Sequence, residues 1–139
     1  MMLPPLIFAH RGAMAYRPQN TLPAFELAWS MGAHGVELPV QCARHGEVVV
    51  FHADALYPLP HGTGRLTDAD RAELYTLDAG AHFSVAYAGE HIPTLVQVLR
   101  GYGVKGVGDA LYIVRAPNRQ PSAATLALID LLVVSIQQM

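Results

Sequence analysis

Apolar and polar positions alternate along the chain in blocks whose lengths differ, and the block lengths predict the elements. A short apolar run over residues 6–9 ends at His10 and suits a buried strand. Beyond it, Thr21 is placed to cap a helix, with Pro23 tolerated in the first turn, and Phe25, Ala28, Trp29 and Met31 recur at near-helical spacing before Gly32 and Gly35 end the segment. Residues 36–42 (VELPVQC) read as a strand, with Pro39 in the middle marking an edge or a distortion. A second β-rich run, residues 48–51, closes at His52. The link between those two runs, residues 43–47, is far shorter than the dozen or so residues that a parallel crossover takes, which predicts an antiparallel hairpin turning at His45-Gly46. Such a hairpin returns the chain so that His52 comes level with Glu37 and Pro39.

The pattern then loosens. Residues 53–66 (ADALYPLPHGTGRL) are rich in Pro and Gly and predict a loop. Residues 67–77 predict a helix capped by Thr67 or Asp68, and Thr94 is placed to cap another ending near Gly101 or Gly103. A strand over 111–114 and a helix over 123–137, apolar nearly all round, complete the order. Strand, helix, hairpin, helices, strand and helix together predict an α/β protein built on a parallel sheet or barrel.

Composition narrows what such a fold does. The chain has 139 residues, room for one domain with a real core, and it is 52% hydrophobic and only 14% charged, which excludes a disordered chain. A net charge of -2 leaves no electrostatic footprint for nucleic acid or an anionic membrane. With Cys42 alone, no intrachain disulfide and no cysteine-based zinc cluster is available. The N-terminal MMLPPLIFAH lacks a basic n-region, and the apolar tract 126–136 carries Asp130 and falls short of the roughly 20 residues of a spanning helix. The expectation is a soluble cytoplasmic protein without a transmembrane segment.

Seven His residues are the chemical resource that composition does flag. His10 and Arg11 sit together at a predicted strand end. They read either as a backbone-bonded imidazole beside a solvated cation, or as a phosphate site, because strand ends in parallel α/β folds are where ligands bind. A guanidinium holds phosphate oxygens through paired hydrogen bonds, and an imidazole moves protons. His52, at the next strand end, gains meaning beside Glu37. Two imidazoles flanking a phosphodiester can take a proton from the attacking oxygen and give one to the leaving oxygen, while Glu37 can hold a divalent cation, although one carboxylate is a poor site by itself. His34, His45, His61, His82 and His91 are expected in turns and loops with no assigned role. His61 lies in HGTG, a glycine loop able to reach a ligand, and Asp54 and Asp78 are expected to serve turns or caps.

Taken in order, AHRG, PQNTLPAFELAWSMGAHGVEL, VVVFHADAL, HGTGRLTD, LYTLDAG and IPTLVQVL make the sequence resemble the glycerophosphodiester phosphodiesterase family from about Leu6 to Leu99, and less closely to the strand near Ile113. The resemblance implies a TIM-type barrel cleaving glycerophosphodiesters to an alcohol and glycerol 3-phosphate, with His10 and His52 as the acid/base pair. It further implies Arg11 on the phosphate and Glu37 as ligand of a divalent cation, Ca²⁺ or Mg²⁺. The family's PENT reads PQNT here, placing Gln19 where a carboxylate is usual. Its ExD reads Glu37-Leu38-Pro39, its HDD reads His52-Ala53-Asp54, its following Arg-Thr-Thr reads Pro58-Leu59-Pro60, and Val114 falls about where a later metal-binding Glu stands. A complete barrel takes about 250 residues. This length implies a partial TIM barrel of roughly three βα units with a β-hairpin and a loop insertion, whose unpaired edge invites self-association. Three readings stay open: a phosphodiesterase, a catalytically dead phosphate-binding or interaction module, and a nonfunctional fragment.

Overall fold

The computed structural model describes residue 5 and residues 7–101, which lie within a compact unit, Met1–Tyr102. The predicted strand over 111–114, with Val114, and the predicted helix over 123–137 lie outside the described residues.

Strand β1, Phe8–His10, pairs in parallel with β2, Gly35–Glu37, in a register that sets His10 opposite Glu37. Helix α1, Leu22–Ser30, connects them. Thr21 precedes it as expected, but its hydroxyl donates to the Pro18 carbonyl at 2.6 Å and makes no cap bond. The side chain is wholly buried, so its single proton is used where water cannot reach. Ala24, Phe25 and Ala28 form the buried face of α1, whereas Trp29 and Met31, which share the apolar spacing, are 54% and 60% exposed.

The run over 36–42 forms two strands rather than one. Pro39 has no N–H to give a ladder, and the chain changes partner there: β2 bonds to β1, while β3, Val40–Cys42, pairs antiparallel with β4, Val48–Val50. The Pro39 carbonyl still accepts the Phe51 N–H at 3.1 Å. The hairpin turns as predicted, with Ala43 N–H donating to the Glu47 carbonyl at 2.8 Å and Gly46 taking φ +86°. His52 therefore follows directly on a residue bonded beside Pro39, at the C-terminal end of β2.

Neighbouring residues of β4 serve opposite faces, as strand geometry requires. Val49 packs in a cluster with Leu56, Leu66, Leu74 and Ile92, and Val50 in another with Phe25 and Val98. The Pro- and Gly-rich segment 53–66 is loop in the sense of lacking regular structure, yet Leu56, Leu59 and Leu66 are core residues. Its HGTG is bonded into place, Gly62 N–H to the Leu59 carbonyl at 3.0 Å and Leu56 N–H to the Gly64 carbonyl at 3.0 Å.

The helix predicted over 67–77 is shorter and begins later. A 3-10 turn, Leu66–Asp68, is followed by extended Ala69, and α2, Arg71–Tyr75, starts beyond it. Its cap is Asp70 rather than Thr67 or Asp68: Asp70 accepts the Glu73 N–H at 2.9 Å while the Glu73 carboxylate accepts the Asp70 N–H at 2.8 Å. Thr94 does cap α3, Leu95–Gly101, through reciprocal bonds with Gln97. The class is α/β. Among the described residues the only parallel pair is β1 with β2. No helix among them is long and apolar enough to cross a membrane.

Asp78 organises the segment between α2 and α3. Its carboxylate accepts N–H bonds from Gly80 and Ala81 on one oxygen and from Gly89 on the other, at 2.8–2.9 Å. These three donors hold its acid below the ordinary value of 3.8. With the folded value depressed, the stabilisation is present above the unfolded value and is lost as pH falls through the folded one. Asp78→Ala is thus expected to lower the melting temperature at pH 7, and the gap from wild type to narrow as pH falls below the ordinary value of 3.8, read from thermal melts across pH. An equal gap at every pH would remove the carboxylate as the cause.

Candidate active site

The site begins where β1 ends. Arg11 leaves the strand at φ +57°, a left-handed conformation uncommon for a non-glycine residue, and Gly12 follows at +82°. The strained turn is held from both sides. Arg11 N–H donates to the Glu37 carbonyl at 2.9 Å, and the Arg11 carbonyl accepts the N–H of Asn20, itself at φ +59°, at 3.0 Å. Residues 11–20 are thereby curled so that Arg11 meets Gln19, whose Oε1 accepts from Nη1 at 2.8 Å.

That contact orients the guanidinium without neutralising it. Among the described residues no carboxylate forms an ion pair with Arg11. Arg11 and His52 line one cleft of about 180 Å³, together with Gln19, Asn20, Phe51 and His82. Among the described residues no Asp or Glu lines it. Asn20 is 5% exposed, and neither its Oδ1 nor the Arg11 Nε has a hydrogen-bond partner among the described residues. A guanidinium that no described carboxylate neutralises, in a cleft with an imidazole, is suited to an anion.

His10 and Glu37 stand beside this cleft rather than in its lining. His10 Nε2 lies 3.6 Å from Glu37 Oε2, with side chains 61% and 55% exposed. The distance is beyond the roughly 3.2 Å limit of a good hydrogen bond. All four expected residues thus gather at the C-terminal ends of β1 and β2, with Arg11 bridging the His10–Glu37 pair and the His52 cleft through its backbone.

A divalent cation fits the described donors poorly. No group of three or more His, Cys, Asp or Glu side chains among the described residues converges as ligands. Glu37 is a single carboxylate with one imidazole beside it, while hard cations take about six or more oxygens. Pro39 brings only a carbonyl, already bonded to Phe51, to the position of the second carboxylate. No chemical step is therefore routed through a metal.

The sequence left three cleft residues unassigned. Gln19 was visible only as a missing carboxylate, and its service to Arg11 depends on the left-handed turn between them. Asn20 carried no signal beyond its place in PQNT. His82, thirty residues from His52 along the chain, could be placed in the cleft only by the fold of the Asp78 loop.

YhdW of Bacillus subtilis (strain 168) is 44% identical over 99 residues, covering 71% of this chain and 41% of the relative. The glycerophosphodiester phosphodiesterase of Caldanaerobacter subterraneus subsp. tengcongensis is 41% identical over 100 residues, covering 72% and 41%. Among solved structures, an Oleispira antarctica phosphodiesterase in complex with the product sn-glycerol-3-phosphate superposes with a TM-score of 0.67 at 36% identity, over 71% of this chain and 40% of that one. The chain thus spans about two fifths of the length of these relatives. The profile of the glycerophosphoryl diester phosphodiesterase family matches residues 10–132. That match, over more than half of the sequence, leads to one conclusion: the chain belongs to the glycerophosphoryl diester phosphodiesterase family.

Proposed function

We propose that the chain hydrolyses glycerophosphodiesters to an alcohol and glycerol 3-phosphate. The observation that carries this reading is the Arg11 guanidinium, held by Gln19 yet uncompensated, in one cleft with His52. In the reaction Arg11 binds the non-bridging oxygens of the diester. His10 and His52 act as the acid/base pair: one imidazole accepts the proton of the attacking oxygen and the other protonates the departing one. Glu37 is the carboxylate assigned to a divalent cation, Ca²⁺ or Mg²⁺.

The same reading places the chain in the cytoplasm as a partial TIM barrel. Ile7 and Phe8, 59% and 50% exposed at the start of β1, are the apolar side chains through which a second copy would associate.

The test is hydrolysis of glycerophosphocholine by the purified chain with Ca²⁺ or Mg²⁺ and then with EDTA, beside His10→Ala as a guard against a contaminating enzyme. Turnover that requires the cation and disappears in His10→Ala is expected. Turnover no greater than the variant's, from folded protein, overturns the activity. Turnover indifferent to EDTA removes the metal assignment and leaves the histidines.

A further inference from the structure

Beyond the four residues already assigned, we propose that His82 is a second phosphate-binding residue, donating from its own loop to the anion held by Arg11. The proposal rests on the phosphate-handling reading of the Arg11 cleft and adds a recognition element from a different part of the chain.

Placement is the first reason. His82 lines the same cleft as Arg11 and His52, although it comes from the segment between α2 and α3. Its side chain is exposed and makes no hydrogen bond to another described residue, so its ring nitrogens are available to a ligand.

Rigidity is the second. A binding group on a loose loop loses much of its contribution to the entropy of ordering. Here the loop is built before a ligand arrives. Asp78 gathers the N–H groups of Gly80, Ala81 and Gly89, and Ala79 N–H donates to the Glu90 carbonyl at 2.7 Å. Gly80 sits so close to the Tyr87 carbonyl oxygen that a Cβ there would collide with it. His82 directly follows Ala81, whose N–H the Asp78 carboxylate holds.

Charge is the third. Among the described residues the cleft's lining holds a guanidinium, two imidazoles and the amides of Gln19 and Asn20, and no carboxylate. The contrast lies within the same molecule. A second cleft, of about 120 Å³, also holds an arginine and a histidine, Arg71 and His91, but Glu47 and Glu90 line it too. There Arg71 is paired with Glu47 at 3.5 Å. The His82 cleft is the one whose cation is left for an external anion. A phosphate bound by Arg11 still has oxygens facing the rest of the wall, and a donor on a separate loop meets one that the arginine does not use.

The experiment is calorimetric titration of inorganic phosphate into the full chain, comparing wild type with His82→Ala, His82→Gln, Arg11→Ala and His45→Ala, the last at the hairpin tip away from the cleft. Phosphate is expected to bind wild type and to bind His82→Ala about ten-fold more weakly, as for loss of one hydrogen bond to a charged group. His82→Gln, which keeps an N–H donor, should recover most of the loss, and His45→Ala should match wild type. Thermal melts confirm that each variant is folded. Wild-type affinity in His82→Ala with weakened binding in Arg11→Ala overturns the His82 assignment and leaves the Arg11 reading standing. An equal loss in His45→Ala overturns it as well, since bulk charge would then explain the effect. Unchanged binding in Arg11→Ala, or none in wild type, overturns both.

Discussion

His52→Ala is expected to lower glycerophosphocholine turnover by about 10²–10⁴-fold, the range contributed by a positioned acid or base. The residue lines the cleft with Arg11 but is exposed and outside both core clusters, so the loss should come without a change in melting temperature. His10→Ala should cause a loss of similar size from the other side of the transfer. The double variant discriminates between a working pair and two separate contributions. Groups that act as a unit are far from additive, so removing both should cost little more than removing one. His61→Ala serves as the control, because His61 is exposed on the HGTG turn and does not line the cleft. Full turnover in His52→Ala would exclude the residue from the chemistry, whatever its position at the strand end. Product losses that multiply in the double variant would mean that the imidazoles do not share one proton-transfer sequence.

The parts of this site that could be read from the sequence are those fixed by short-range geometry. A five-residue link between two β-rich runs leaves room only for a hairpin, and the hairpin alone brings His52 level with Pro39. The Thr94 cap is legible for the same reason, since its bond to the Gln97 N–H lies within one helical turn. What escaped depends on long-range packing. Trp29 and Met31 share the apolar spacing of α1, but only one face of that helix meets β2 and α3, and they lie away from it. The start of α2 was misplaced because Leu66 is drawn into the core and Ala69 is held extended, its carbonyl accepting the Arg44 N–H at 3.0 Å from the hairpin. The cleft shows the same division. Its strand-end groups were visible along the chain, while Gln19 and His82 gained their positions from a left-handed turn and a carboxylate-centred loop that no periodicity encodes.

The left-handed turn also predicts the largest effect on stability. Gly12→Ala combines two penalties at one position. The backbone stays at φ +82°, where a Cβ costs about 1–2 kcal/mol. The new methyl would also lie 2.7 Å from the Ala24 carbonyl carbon and 2.8 Å from the Ala24 Cβ. Those atoms belong to the buried face of α1, so the first turn of the helix has to move away from β1, at a further cost of about 1–3 kcal/mol. A total loss of about 2–5 kcal/mol is expected from urea unfolding. Gly46→Ala separates the two terms. Its φ is +86° but nothing lies within 4 Å of the added methyl, so it should show the conformational cost alone. The difference between the variants then measures how tightly α1 is seated on the turn that aims Arg11. If that seating positions the guanidinium, Gly12→Ala should weaken phosphate binding at temperatures where it is still folded, and Gly46→Ala should not. Equal destabilisation by the two would mean that α1 yields freely at Ala24. Arg11 would then owe its direction to Gln19 and the Glu37 carbonyl alone.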